Sequence, residues 1–379
     1  MLVAHVSCYV DPAGRKPRKL LRLWPTLTEV AAAAAGDGVE IVVVQAASQD
    51  DLVNHNGVQC HFVSDHGRPV LFPRRLVASR RPARLGAKLG ELAPDVVHLH
   101  GLSFLRQASF LAGLLPGTPI LVQDHADRPP RRRTLFSGHR PALDIAGVCF
   151  TSRELCMPWI EAGWLDPQLP VFEILESSSH FTVGDQDAAR AATGLFGDPC
   201  LVWVGRLSQA KDPLTVLDAL AQAIPQLRDP HLWCYYTQAP LHREVTRRLE
   251  NDDRLARRTH LQGRVPHAQI EAVMRAADFF VTGSKREGSG YAVIEAMACG
   301  TPPIVTDIPA FRSLTGGGTV GALVPPGDPS AMALALTQWS LQDRRSLRSM
   351  VRTHFDRTLS FEVLGGKLRA AYRKLAGVA

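Results

Sequence analysis

The strongest constraint on what this chain can fold into is a rhythm that runs through it twice. Short runs nearly continuous in Val, Ile and Leu alternate with stretches of helical periodicity. The first half holds LVAHVSCYV (2–10), EIVVVQ (40–45), VQCHFV (58–63), DVVHLH (95–100), ILVQD (120–124), GVCFTS (147–152) and VFEIL (171–175). The second holds CLVWVG (200–205), HLWCYYT (231–237), THLQG (259–263), DFFVTG (278–283), PPIVTD (302–307) and GALVPP (321–326). Unbroken apolar runs suit strands buried on both faces, as in a parallel sheet covered by helices. Between them, the alanine-rich segment 26–35 reads as helix. DPLTVLDALAQAI sets Leu214, Leu217, Leu220, Ala221 and Ile224 on one stripe, and HAQIEAVMRAAD does so with Ile270, Val273, Met274 and Ala277. The alternation predicts an α/β chain with two Rossmann-like, doubly wound parallel-sheet domains, with right-handed crossovers, facing across a cleft.

A length of 379 residues suits two full cores. The polar, turn-rich stretch ESSSHFTVGDQDA (176–188) marks the boundary, so the expected domains span 1–175 and 176–357. A basic amphipathic helix follows over 358–379, with Phe361, Leu364, Leu368, Ala371 and Leu375 on one stripe. The seven cysteines are scattered without a C-x-x-C pair, which suits a reducing compartment. No apolar stretch reaches the roughly 18–20 residues of a membrane span, and MLVAHVSCYV is too short and lacks the basic start of a signal peptide. The expectation is a soluble, cytoplasmic protein. Its net charge of +7 is uneven, gathering in the runs 14–24, 73–88 and 129–140. These are either solvated surface, or an attraction for phosphorylated substrates or for anionic lipid at the inner membrane face, with Leu20, Leu21, Leu23 and Trp24 as apolar complement. Nucleic acid is disfavoured, because none of the runs interleaves aromatic stacking platforms.

Two motifs carry chemistry. LVWVGRLSQAKDP is a buried strand, a glycine exit and a loop holding Arg206 and Lys211 ahead of a helix with Asp212 as N-cap and Pro213 in its first turn. Cations beside a helix N-terminus complete a diphosphate site; by spacing alone they are equally ordinary loop charges. KREGSGYAVIEAMACGTP (285–302) turns through Gly288 and Gly290 into a helix carrying Glu295, while Glu287 stays in the loop. Glu295 lies too near the positive helix end to need a cation. Each carboxylate could hold the vicinal hydroxyls of a sugar, or be a solvated glutamate at a helix start.

Together VGRLSQAKD and EGSGYAVIEAMACGTPPIVTD, with the E-x7-E spacing, resemble the donor site of retaining glycosyltransferases of the GT-B fold, family four. GRVPHAQIEAVMRAADFFVTGS and GALVPPGDPSAMALAL extend the likeness over the second half; PDVVHLHG, ILVQDHADRP and VCFTSRELCMPWIEAG match loosely in the first. The resemblance implies that Arg206 and Lys211 bind the diphosphate, Glu295 the ribose and Glu287 the transferred sugar. It implies backbone contacts from Gly288, Ser289, Gly290 and Tyr291, framing of the base by Arg264 and Val265, and an acceptor-side role for His125, with His100 a second candidate. Where the family often has Gly-Gly after its first strand, Gly14 stands alone as a donor contact. The family's interdomain P-N-G-V-D is replaced by LESSSHF, and Ser289 and Tyr291 make the sugar pocket more polar. In GT-B relatives the terminal helix crosses back to the first domain.

Arg206, Lys211 and the helix dipole sit where charge appears on the leaving diphosphate, so neither metal nor cofactor is required. The D-x-D at 185–187 reads as a helix cap rather than a metal ligand set. The expected activity is transfer from a nucleotide sugar, UDP-linked ahead of GDP-linked, to a small-molecule, glycan or lipid-linked acceptor with retention of configuration. The alternatives are a GT-B enzyme of another class, such as an epimerase or phosphorylase, and a non-catalytic anion- or membrane-binding partner.

Overall fold

The computed structural model describes residues 1–65, 78–79, 81–129 and 144–378. The basic run 73–88 lies partly, and the run 129–140 almost wholly, outside the described residues. The chain forms two compact units, Met1–Ser177 with Phe361–Ala379, and Ser178–Ser360. Among the described residues no helix is long and apolar enough to cross a membrane. All seven cysteines are free and buried.

In the first unit the elements run β1 (Leu2–Ser7), α1 (Pro17–Leu23), α2 (Thr26–Ala34), β2 (Glu40–Ala47), β3 (Asp51–His55), β4 (Val58–Ser64), α3 (Ala83–Leu92) and β5 (Val96–His100). Then come α4 (Leu105–Leu114), β6 (Ile120–Gln123), β7 (Gly147–Phe150), α5 (Arg153–Glu161) and β8 (Val171–Glu173). The sheet order is β3-β4-β2-β1-β5-β6-β7-β8. It is mixed rather than wholly parallel, because β3 pairs antiparallel with β4. The turn between them is Asn56-Gly57, both at positive φ, the pair that suits a tight hairpin. Strand alternation on β1 sends Ala4 and Val6 into the core with Leu85, Leu89, Leu111 and Trp159. Val3 and His5 therefore point to the other face. In α1, Leu20 and Leu21 are buried, which withdraws half of the apolar complement expected for a lipid surface; Leu23 and Trp24 remain exposed.

The second unit runs α6 (Gln186–Thr193), β9 (Cys200–Gly205), α7 (Pro213–Ala223), β10 (His231–Tyr236), α8 (His242–Glu250), α9 (Asp253–Arg258), β11 (Thr259–Gly263) and α10 (His267–Ala276). It continues with β12 (Phe279–Thr282), α11 (Tyr291–Ala298), β13 (Pro303–Thr306), α12 (Pro309–Leu314), β14 (Ala322–Val324), α13 (Pro329–Ser340) and α14 (Arg344–Thr358). The sheet, ordered β11-β10-β9-β12-β13-β14, is parallel in every pair. Asp185 caps α6, accepting from the Ala188 amide at 2.7 Å, so the D-x-D segment opens a helix.

The last helix, α15 (Phe361–Ala376), belongs to the first unit and packs on α2. The approach is backbone to backbone: a Cβ on Gly365 would stand 1.8 Å from the Ala33 carbonyl oxygen, so only glycine fits there. Arg369 Nη1 donates to that same oxygen at 3.1 Å, and Arg373 Nη2 to the Asp37 carbonyl at 2.6 Å. Two cations thus meet carbonyls at the negative end of α2.

Candidate active site

In the second unit the winding reverses between β9 and β12. The strand order runs outward from β9 to β11 and then returns to β12. Ligands of open parallel sheets bind at such a switch point, beyond the carboxyl ends of the strands. The loops leaving β9 and β12 are tied together there. The Lys285 amide donates to the Ala210 carbonyl at 2.8 Å, and Lys285 Nζ lies 3.0 Å from Asp212 Oδ2. Lys211 Nζ forms an ion pair with Glu287 Oε1, both side chains being largely buried. The side chains assigned to diphosphate and transferred sugar are therefore in direct contact. Arg206 is exposed at the exit of β9, with no hydrogen-bond or ion-pair partner among the described residues.

Asp212 departs from expectation. It stands at the N-cap position of α7 but makes no side-chain cap. Its backbone is left-handed, at φ 41 and ψ 62, whereas an N-cap is extended. The carboxylate instead accepts from Thr215 Oγ1 at 2.8 Å and meets Lys285.

The turn into α11 needs its glycine: Gly290 is at φ +70, and a Cβ there would stand 2.7 Å from Phe311 Cε1. Gly288, Ser289 and Gly290 are buried at the start of this helix, and Tyr291 is exposed. Glu295 does have a side-chain partner, an imidazole. His267 Nε2 lies 2.6 Å from Glu295 Oε1. His267 opens α10 and stacks on Phe181 with ring centroids 5.2 Å apart, which brings its imidazole over the first turns of α11. Arg264 and Val265 lie in the same loop after β11, separated from His267 by Pro266, and are exposed and half-buried respectively. The two glutamates of the E-x7-E spacing thus each hold a basic group, one a lysine and one a histidine. His267 was missed from sequence because it reads as an ordinary helix-start residue.

The first unit has its own switch point, between β1 and β5. Gly14, in the loop after β1, sits in a turn organised by Asp11, which accepts from the Arg15 amide at 2.9 Å and from Arg15 Nη1 at 2.8 Å. His5 and His98 are register partners on β1 and β5, and His100 follows on the same face. From them a continuous hydrogen-bonded chain runs. His98 Nδ1 is 2.8 Å from Tyr372 Oη on α15, which is 2.8 Å from His5 Nε2. His5 Nδ1 is 3.1 Å from His100 Nε2, and His100 Nδ1 is 3.1 Å from His125 Nε2. His125 Nδ1 ends the chain 2.8 Å from Glu176 Oε2. His100 and His125, the acceptor-side candidates, are thus in contact with each other. Glu176, His5 and Tyr372 were not legible as partners. Glu176 lies in the LESSSHF segment, which gains a meaning here.

Burial holds His5, His98 and His100 well below the ordinary imidazole pKa, each further lowered by a neighbouring ring. Burial also opposes charge on His125, but the Glu176 carboxylate, with Asp127 and Asp124, raises its pKa overall. Burial, then Glu176 and Asp127, pushes the Asp124 carboxyl up to about 7.

Residues 198–341 match the family described as glycosyl transferases group 1. A D-inositol 3-phosphate glycosyltransferase of Geodermatophilus obscurus is 33% identical over 205 residues, 52% of this chain and 45% of the relative. One from Thermomonospora curvata is 29% identical over 383 residues, 91% of this chain and 89% of the relative. The chain therefore spans about half the length of the first relative and most of the second. Among solved structures, HepE of Anabaena in complex with UDP superposes with a TM-score of 0.69 at 16% identity, covering 99% of this chain and all of that one. That likeness shows the fold, which is GT-B.

Proposed function

We propose, from the match of residues 198–341 to the glycosyl transferases group 1 family, that the chain transfers a sugar from a nucleoside-diphosphate sugar to an acceptor hydroxyl, with retention of configuration. The observation that carries the reading is the Lys211–Glu287 pair at the β9/β12 switch point, with Arg206 exposed beside it. Breaking the bond between the anomeric carbon and the diphosphate puts negative charge on the leaving oxygen, and Arg206 and Lys211 supply countercharges for it. The reading needs no metal ion for that step. Without donor, Lys211 neutralises Glu287; when a donor binds, the phosphate takes the ammonium and a sugar hydroxyl donates to the freed carboxylate. Glu295 accepts from the ribose hydroxyls, its orientation fixed by His267. Gly288, Ser289, Gly290 and Tyr291 offer amides, and Arg264 and Val265 frame the base. The leaving phosphate takes the acceptor's proton on the same face.

UDP-sugars are the first donors to test and GDP-sugars the second. A ligand at a hundred times its dissociation constant adds roughly 2.7 kcal/mol of stability, so a thermal-shift screen reveals the nucleotide. Release of free nucleoside diphosphate only when an acceptor is supplied supports transfer; release without one points to another reaction class. Stability that rises with no nucleotide, together with binding to anionic vesicles, would replace the reading by that of a membrane-binding partner using Leu23, Trp24 and their flanking cations.

A further inference from the structure

Hydrogen-bond direction along the imidazole chain is fixed by its end. An ionised carboxylate only accepts, so His125 carries its proton on Nδ1, toward Glu176, and a neutral ring then has a lone pair on Nε2. His100 must donate to that lone pair from Nδ1, leaving its Nε2 to accept from His5 Nδ1. His5 Nε2 then accepts from the Tyr372 hydroxyl, whose oxygen accepts from His98 Nδ1. All four rings are driven to the same tautomer. One atom is left over: a lone pair on His98 Nε2, and this is the nitrogen that is buried without a partner.

The chain has one other complete arrangement, reached by adding one proton. If His125 is protonated on Nε2 it donates to His100 Nδ1, His100 donates from Nε2 to His5 Nδ1, His5 donates from Nε2 to Tyr372, and Tyr372 donates to His98 Nδ1. The proton count balances: each of the other rings exchanges Nδ1–H for Nε2–H, Tyr372 keeps one O–H, and the single added charge rests on His125 against Glu176. We propose that His125 ionises only together with this chain, so that Tyr372 on the C-terminal helix, His5 and His100 are positioning residues that set the tautomer and charge of the acceptor-side histidine. The groups facing the chain are few. Glu176, Asp124 and Asp127 lie beside His125, Gln123 beside His98, and Cys149 near Tyr372. The carboxylates favour the charged arrangement at one end; at the other it places an N–H on buried His98 Nε2, with Gln123 the neighbouring side chain. A divalent cation is the rival occupant, since ligand atoms of His5, His98 and His100 lie within 4.8 Å of one another. Hydrogen bonds, however, already engage five of the six ring nitrogens of these three residues.

The meaning for turnover rests on the transferase reading, but the test does not. Long-range 15N–1H spectra of 15N-histidine-labelled protein report imidazole tautomers directly. The wild type at pH about 8 is expected to show His5, His98, His100 and His125 all as Nδ1–H, and all four are expected to change at one shared midpoint as His125 takes its proton. In Tyr372→Phe, His98 is expected to stop following His125, since the hydroxyl that links His98 Nδ1 to His5 Nε2 is gone. An Nε2–H tautomer for His125 in the wild type, independent midpoints, a Tyr372→Phe spectrum with unchanged coupling, or a joint response of His5, His98 and His100 to one equivalent of Zn2+ would each overturn the proposal. Expected spectra in a protein that transfers no sugar would sink the transferase reading and leave this one standing.

Discussion

Each unit gathers polar side chains beside the strands where its winding reverses, and the two use different chemistry there. At the β9/β12 edge the partners are opposite charges, Lys211 with Glu287 and Lys285 with Asp212, on loops and partly open to water. Between β1 and β5 they are neutral imidazoles and a phenol, buried on the strands themselves and under a helix. An ion pair held by loops can exchange one partner for a ligand charge of the same sign. A buried neutral chain has no such replacement, because any member lost leaves its neighbours unsatisfied in a low dielectric. The first arrangement suits binding and release; the second suits holding one group in one protonation state.

The largest effect expected from breaking this contrast is on turnover. On the proposed reading Lys211→Ala removes a countercharge for the leaving diphosphate, and a loss of about 10²–10³-fold in kcat is expected, the scale for losing one preorganised electrostatic contact. Steady-state kinetics check it, and a change under threefold would place Lys211 outside the reaction. Tyr372→Phe should act on stability instead. It strands His5 Nε2 and His98 Nδ1, at about 1–3 kcal/mol for each orphaned group, measured by urea unfolding of the whole chain.

Acid should separate the units further. Burial lowers the folded pKa of His5, His98 and His100, so stability from keeping them neutral is present above the unfolded value near 6.5 and lost as pH falls below it. Asp124 works oppositely: with a folded pKa raised to about 7 it holds a proton that the unfolded chain releases above about 4. His125, also raised, is charged in both states at pH about 5.5 and adds no slope there. His61, His231, His260 and His354 are lowered by burial as well, so protons gained on unfolding outnumber the one Asp124 releases and stability should fall as pH drops below about 6. Denaturation at pH about 7 and 5.5 measures it, and a flat profile would mean that the buried rings are not neutral. Smaller still, Glu295→Ala should weaken nucleotide binding about tenfold, or about 1.4 kcal/mol. His267→Ala, which removes a largely exposed partner of that carboxylate, should cost less than about 1 kcal/mol.

The contrast also explains what could be read from sequence. The Lys211 and Glu287 loops were legible because strand, glycine and cation follow one another within a short stretch, and the apolar runs placed both at strand ends. The edge strand β3 was not, since Asp51-Leu52-Val53-Asn54-His55 is largely polar and half of it faces outward; Asn56-Gly57 was its available signal. The imidazole chain escaped because its members are lone residues joined by strand register and by a helix at the far end of the chain: His5 and Tyr372 are 367 residues apart. His267 and Asp212 show a subtler gap. Their positions at helix starts were readable, but the direction of each side chain depended on backbone conformation and on a neighbouring element.

Whether the β9/β12 edge is a diphosphate site is tested most directly by isothermal titration of UDP and GDP into the wild type and into an Arg206→Ala/Lys211→Ala double variant that unfolds at the wild-type temperature. One of the two nucleotides should bind the wild type and lose at least tenfold in affinity to the double variant. Failure of both to bind the folded wild type, or equal binding to both proteins, would contradict the assignment.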